Sequence, residues 1–234
     1  MICSICNRKY NKEQFLPFGP SKRPFVACPT RGCFSSDRDR FTALFIEKNR
    51  VKYNKTLHIA PETNIQKILK KNSNNYICGD LYPEQYKHLH CIYLDATKLS
   101  FPDNTFQLVY ASHILEHIPD DIKAMEEIYR VLTKKGVLIA LIPQDLEKDT
   151  YEDNSIIEPE ERKKHFGQSD HVRMYGIDFT QRLKKCGFYV QIYCHESIST
   201  TVDKMEHDNK FVLGDIYNNY NLNKNEILYI CYKL

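Results

Sequence analysis

Between residues 56 and 143, short apolar runs alternate with amphipathic stretches, and this alternation limits the chain more than any other feature. "TLHIA" (56–60), "NYICGD" (75–80), "CIYLDA" (91–96), "FQLVYAS" (106–112) and "VLIALIP" (137–143) have strand length and strand composition. "ETNIQKILKKN" reads as a helix with Ile65, Ile68 and Leu69 inward. "DDIKAMEEIYRVLTKKG" (120–136) reads as a second helix, capped by Asp120 or Asp121 and stopped by Gly136, with Ile122, Met125, Tyr129 and Leu132 as its apolar stripe. "VLIALIP" is apolar throughout, as a strand covered on both faces must be. Strands that alternate with helices pair in parallel, so the expectation is an α/β chain with a doubly wound sheet.

The flanks follow different patterns. "SSDRDRFTALFIEKNRV" reads as a helix with Ser36 or Asp37 at its N-cap and Phe41, Leu44, Phe45 and Val51 on one stripe. "GIDFTQRLKKCG" (176–187) is another helix. "FYVQIYCH" (188–195) and "EILYICYKL" (226–234) are late strands with no helix between them, which suggests an antiparallel pair at one sheet edge. Residues 144–175 are too long for a plain connection and read as a lid or insertion, and 196–225 as a long connection. The 234 residues have room for one α/β domain and a small appendage, here 1–36 followed by 37–234.

That appendage holds two close cysteine pairs, Cys3 with Cys6 and Cys28 with Cys33. Each pair suits a tight turn, and four thiolates close a tetrahedron around a structural zinc ion. The intervening "FLPFGPSKRPFV" is punctuated by Pro and Gly and has little core of its own, so a metal clamp explains how it folds. A redox motif and unrelated free thiols are the competing readings, and the second pair is C-x4-C rather than C-x2-C. The other five cysteines, Cys78, Cys91, Cys186, Cys194 and Cys231, read as small buried hydrophobes. An odd total of nine, no run of about 18 apolar residues and no secretory pattern at the start point to the cytoplasm. The net charge of +3 is uneven: residues 1–52 carry 11 Lys/Arg against 4 Asp/Glu. A basic N-terminal segment can meet phosphate or an acidic partner, or can be a solvated face.

The stretch "LDATKLSFPDNTFQLVYASHILEHIPDDIKAMEEIYRVLTKKGVLIALIPQ" (94–144) resembles class I S-adenosylmethionine-dependent methyltransferases of the type 11 kind. Their wording runs D-x-x-x-L-P-F-x-D-x-S-F-D-x-V, then H-x-L-E-H, then R-V-L-K-P-G-G. "CPTRGCFSSDRDR", "LHIAPE" and "FGQSDHVRMYG" extend the resemblance to a subfamily in which a cysteine ribbon precedes that domain. The resemblance implies a Rossmann-like seven-stranded sheet, mostly parallel with an antiparallel last strand, behind a small zinc ribbon. It implies S-adenosylmethionine, with S-adenosylhomocysteine as product. "LHIAPE" takes the place of the first cofactor loop, with His58 where the wider family often has Asp. Asp80 takes the place of the acid that receives the ribose hydroxyls, with Leu81 beside it. Asp95 and Ala96 occupy the positions that meet the adenine, and Ser112 and His113 lie at the end of the fourth strand beside the methyl donor.

Methyl transfer from a sulfonium needs a nucleophile held in line about 3 Å from the methyl carbon, and a base only if that nucleophile holds a high-pKa proton. His113, His117, His165, His171 and Tyr175 are the titratable candidates. His113 from the strand end and His171 from the lid are the expected catalytic pair, while His117 also reads as a packing residue. Arg38 and Arg40 either reach the site from the ribbon junction or are solvated. "ASHI" after the fourth strand lacks the Asn/Asp-Pro-Pro-aromatic wording of enzymes that methylate the exocyclic amine of a base. No pairing of acids and histidines points to a catalytic Mg²⁺ site. An oxygen of a small molecule or sugar is therefore the expected acceptor. RNA or protein methylation docked through the basic ribbon, and a non-catalytic S-adenosylmethionine-binding protein, stand as alternatives. Nucleic acid is allowed but not required.

"LHIAPE" contains no glycine, although cofactor loops use glycine for positive φ and close backbone approach. Ala60 must supply the approach, Pro61 the turn, and Glu62 a carboxylate for the cofactor's ammonium.

Overall fold

A computed structural model describes residues 1–19, 22–49, 52–214 and 216–234. Strands β1 (Leu16–Phe18) and β2 (Arg23–Ala27) form an antiparallel hairpin beside the four N-terminal cysteines, with Phe15 in the small core between them. Helix α1 (Asp37–Asn49) follows. Its start is a reciprocal cap: Ser36 Oγ accepts the Asp39 N–H at 3.1 Å, and Asp39 Oδ2 accepts the Ser36 N–H at 3.0 Å. Phe41 is buried and Leu44 and Phe45 are half-buried, while Val51 of the expected stripe lies outside the described residues.

The remaining elements are, in order, β3 (Tyr53–Ile59), α2 (Thr63–Lys71), β4 (Ser73–Asp80), β5 (Ile92–Tyr93), β6 (Phe106–Ser112), α3 (Asp121–Val131) and β7 (Leu132–Leu141). Then come β8 (Tyr151–Glu152), α4 (Pro159–Phe166), β9 (Arg173–Met174), α5 (Phe179–Lys185), β10 (Tyr189–His195), α6 (Ser199–Val202), β11 (Asn209–Leu213), α7 (Ile216–Tyr220) and β12 (Leu228–Tyr232). The main sheet runs β11-β10-β12-β7-β6-β3-β4-β5. Strands β3 to β7 pair in parallel, and β12 lies antiparallel to both β7 and β10. A mostly parallel, Rossmann-like sheet with a reversed last strand is as expected.

Three details correct the sequence expectation. The sheet has eight strands, because β11 pairs in parallel with β10 from within the stretch read as a connection. The late pair is therefore not at the edge: β12 is inserted between β7 and β10, and β11 holds the edge. "NKFVL" is mostly exposed, so it lacks the apolar run by which a strand is read. Helix α3 ends at Val131, and Gly136 lies inside β7 rather than at a helix end. Pairing of Leu132 with Phe106 starts the strand early, and the register shifts before Val137 pairs with Leu108. A Cβ at Gly136 would stand 2.7 Å from the Thr133 carbonyl oxygen, which explains glycine there. Asp120 caps α3 as expected, accepting the Lys123 N–H at 3.0 Å.

Alternation along β6 divides the core. Val109 and Ala111 face one layer with Met125, Ile128, Phe179 and Leu183 from α3 and α5. Leu108 and Tyr110 face the other with Phe41, Ile46, Ile65 and Leu69 from α1 and α2. Helices on both faces bury the sheet, and each fully buried Leu or Ile contributes roughly 1.5–3 kcal/mol. The polar strand ends are thereby left at one rim, where ligands of open α/β sheets bind. Among the described residues no helix is long and apolar enough to cross a membrane.

Residues 144–175 are folded, not loose. β8 and β9 pair antiparallel, and Arg173 fastens them to the turn after β6. Its Nη1 donates to the Leu115 and Ile118 carbonyls (3.0 and 2.5 Å), its Nη2 to the Pro119 carbonyl (2.8 Å) and its Nε to Glu152 (2.8 Å).

Candidate functional site

The expected cofactor residues gather at the carboxyl rim of β3, β4 and β6. Ala60 follows β3 with φ +50°, the left-handed conformation that non-glycine residues rarely hold. Its N–H bonds the Gly79 carbonyl at 2.9 Å. The loop thus achieves without glycine the turn that glycine normally supplies, at the strain cost seen at functional sites. Pro61 leads into Glu62, which is the N-cap residue of α2 but caps no N–H with its side chain. The carboxylate is instead held by His58, whose Nε2 lies 2.9 Å from Glu62 Oε2. His58 is buried under the loop, and its Nδ1 lies 2.8 Å from the Tyr76 hydroxyl. Burial opposes charge on Glu62, but hydrogen bonding and electrostatic attraction from His58, with Arg38 beyond, lower its pKa.

Asp80 ends β4, and its Oδ1 accepts the Tyr82 N–H at 2.8 Å, which fixes the carboxylate at the rim. Leu81 beside it is 44% exposed. Asp95 Oδ1 accepts both the N–H (2.8 Å) and the hydroxyl (2.7 Å) of Thr97, and Ala96 is buried next to it. Ser112 ends β6 with its Oγ buried and, among the described residues, without a hydrogen-bond partner. The rim thus presents the Glu62 and Asp80 carboxylates and the unpartnered Ser112 hydroxyl, polar groups that a ligand with hydroxyls and an ammonium can meet.

Beyond β6 the rim turns polar. His113 has φ +52°, which directs its ring between two carboxylates. Its Nδ1 is 3.4 Å from Glu116 Oε1 and its Nε2 is 3.6 Å from Glu226 Oε1. Burial opposes its charge, but interaction with Glu116 and Glu226 outweighs this and raises its pKa. His171 comes down from the 144–175 segment and is 1% exposed, and the N–H of Val172 bonds the Glu116 carbonyl at 2.9 Å. Its Nδ1 is 2.9 Å from the Phe166 carbonyl, to which an N–H there donates, and burial lowers its pKa. His117 packs edge-on against it, with ring centres 4.7 Å apart.

His113 and His171 both lie beside Glu116. Two other candidates do not. Tyr175 is buried and its hydroxyl donates to Asp121 at 2.6 Å, while His165 sits on α4 beside Tyr151 and Phe166. The two arginines also separate. Arg38 lies within electrostatic reach of Glu226 and Glu62. Arg40 is buried away from the rim and donates to the carbonyls of Ser35 (2.7 Å), Val26 (3.0 Å), Tyr220 (2.9 Å) and Asn221 (2.7 Å). Sequence reasoning missed Glu116 and Glu226. The spacing in "HILEH" was available as a signal for Glu116, whereas Glu226 arrives from 110 residues further on.

In the N-terminal cysteine cluster, the Sγ atoms of Cys3 and Cys33 are 3.7 Å apart, as are those of Cys6 and Cys28, and all four sulfurs lie within 4.8 Å of one another. Sulfurs bound to a tetrahedral zinc stand roughly 3.8 Å apart, given Zn–S of about 2.3 Å. The C-x4-C spacing thus does not prevent a four-sulfur site. Burial opposes ionisation of Cys6, but hydrogen bonds from Thr30 and the Arg8 backbone bring it to about 7, whereas burial pushes Cys33 up to about 12. Four thiolates at this centre would need a cation.

Residues 60–140 match the family model described as a methyltransferase domain. The ubiquinone/menaquinone biosynthesis C-methyltransferase of Hydrogenovibrio crunogenus is 49% identical over 47 residues, covering 20% of this chain and 18% of that protein. A demethylmenaquinone methyltransferase of Bacillus licheniformis is 32% identical over 82 residues, 35% of each chain. The chain thus spans about a fifth and about a third of these two relatives. Among solved structures, an S-adenosylmethionine-dependent methyltransferase from Archaeoglobus fulgidus superposes with a TM-score of 0.55 at 16% identity, covering 85% of this chain and 95% of that one. The fold is that of a Rossmann-like α/β methyltransferase.

Proposed function

We propose that this chain is an S-adenosylmethionine-dependent methyltransferase whose acceptor is an oxygen of a small molecule or sugar. The observation that supports this most is the convergence of Glu62, Asp80, Asp95 and Ser112 on one rim of the sheet, next to the polar cluster of His113, Glu116 and Glu226. The match of residues 60–140 to the methyltransferase domain supports it independently. When bound, the cofactor supplies the electrophilic methyl group. Ala60, Pro61 and Glu62 would hold its amino-acid end, Asp80 and Leu81 its ribose, Asp95 and Ala96 its adenine, and Ser112 would lie beside the methyl donor. His113 and His171 would face the acceptor.

Cys3, Cys6, Cys28 and Cys33 would hold a structural zinc, and all nine cysteines are free thiols, which agrees with a cytoplasmic location. Calorimetry with S-adenosylmethionine tests the cofactor reading. Binding by the wild type and a loss on Asp80→Ala are expected, and either no binding or unchanged binding in the variant would sink it. Less than about half an equivalent of zinc in the purified protein would argue against the ribbon site.

A further inference from the structure

The buried carboxylate of Glu116 has no hydrogen-bond donor on either oxygen among the described residues, although the residue is fully buried. His113 approaches Oε1 at 3.4 Å from one side without making a hydrogen bond. From another side His117 turns Nε2 toward the same oxygen at 4.0 Å, and His171 presents an Nε2 that is also buried and without a partner. One donor atom from each of Glu116, His117 and His171 lies within 4.8 Å of the others. His113 faces only one of the two Glu116 oxygens, so a buried carboxylate and two imidazole nitrogens this close together leave room for a cation between them.

We propose that Glu116, His117 and His171 bind a divalent first-row transition metal, with further coordination positions open toward His113. Two imidazole nitrogens and one carboxylate suit Zn²⁺, Fe²⁺, Co²⁺ or Ni²⁺, whereas Mg²⁺ and Ca²⁺ take oxygen sets. Donors around such an ion, with bonds of about 2.0–2.2 Å, stand roughly 3–4 Å apart, so small side-chain rotations close this set. The outer contacts are those of built metal sites. His171 Nδ1 faces the Phe166 carbonyl at 2.9 Å and His117 Nδ1 faces Asp170 Oδ2 at 3.3 Å, which directs both Nε2 lone pairs inward. The 144–175 segment then has a chemical role: Arg173 and Val172 pin it where His171 completes the set contributed by the turn after β6. Within the methyltransferase reading, on which this last step rests, the open positions would take the acceptor oxygen and hold it beside the methyl donor.

The test is a Co²⁺ titration of the full chain with its ribbon already loaded with zinc, followed by visible absorption. Zinc is the tighter binder at thiolates, so Co²⁺ reports the second site. Saturable uptake of about one equivalent is expected in the wild type. His171→Ala and Glu116→Gln should each weaken it by more than the roughly 10–100-fold that losing an outer-shell partner costs. No saturable uptake by the wild type, or wild-type affinity in both variants, overturns the site. S-adenosylmethionine calorimetry on the same samples separates the two readings. Stoichiometric Co²⁺ binding by a wild type that ignores S-adenosylmethionine would keep the metal site and remove its assigned acceptor. A variant that binds the cofactor normally but loses Co²⁺ is folded and supports the site.

Discussion

The imidazole Nε2 of His58 lies 2.9 Å from Oε2 of Glu62, linking the end of β3 to the N-cap residue of the helix that follows. With Tyr76 bonded to the other ring nitrogen at 2.8 Å, the buried ring acts as a spacer that carries a carboxylate to the rim. The position where related loops place an acid on the strand is here occupied by the support, and the acid stands four residues later. Glu62→Gln should weaken S-adenosylmethionine binding by roughly 10–100-fold, since hydrogen bonds to charged groups contribute about 1.5–3 kcal/mol. Binding of methylthioadenosine, which lacks the ammonium, should hardly change. Equal losses for both ligands in calorimetry would place Glu62 elsewhere than at the ammonium.

Gly176 sets how tightly the 144–175 segment closes. A Cβ there would lie 2.2 Å from the Lys148 carbonyl oxygen and 2.3 Å from the Asp149 carbonyl carbon, both backbone atoms. Gly176→Ala should destabilise the fold by about 1–3 kcal/mol through overpacking. Limited proteolysis should cut first within 144–175, and wild-type resistance there would contradict this.

Glu127 gives a pH signature. Its hydrogen bonds with Arg130 (2.8 Å) hold its pKa below the ordinary 4.5 despite some burial. A depressed carboxylate stabilises the fold above its unfolded value and loses that contribution as pH falls through its folded one. Thermal melts should therefore show Glu127→Gln less stable by about 1.5–3 kcal/mol at pH 7. The gap should shrink as pH falls below 4.5 and close once Glu127 is protonated in the folded protein. A gap that persists there would mean the loss is packing rather than charge.

Arg40 ties α1 to the N-terminal hairpin and to the segment before β12 through four backbone carbonyls on three segments, and stacks over Phe15 at 4.9 Å. Arg40→Leu should cost about 3 kcal/mol or more in denaturant unfolding, because each buried carbonyl left without a donor costs roughly 1–3 kcal/mol. Chelation of zinc should lower the melting temperature of the wild type more than that of a Cys3→Ser/Cys33→Ser variant. An equal response of the two proteins would remove metal from the ribbon's stability.

Local periodicity determined most of the sheet. The strands and helices from 56 to 143 were legible because apolar spacing and caps such as Asp120 act within a few residues. The resemblance of "LHIAPE", "HILEH" and "FGQSDHVRMYG" pointed to the rim of the sheet, and His113 and His171 were chosen there as titratable groups. Folding alone decided the rest. β11 is an exposed edge strand whose pairing with β10 follows from geometry, not from an apolar run. Gly136 belongs to a strand because Leu132 finds Phe106 across the sheet. Arg38 and Arg40, two residues apart on one helix, were equivalent in the sequence. One faces the carboxylates of the rim and the other is buried among carbonyls, because the helix turns them toward different partners. Glu116 and Glu226 became site residues only when a turn, a distant loop and His171 met, and such meetings depend on long-range packing that no local pattern encodes.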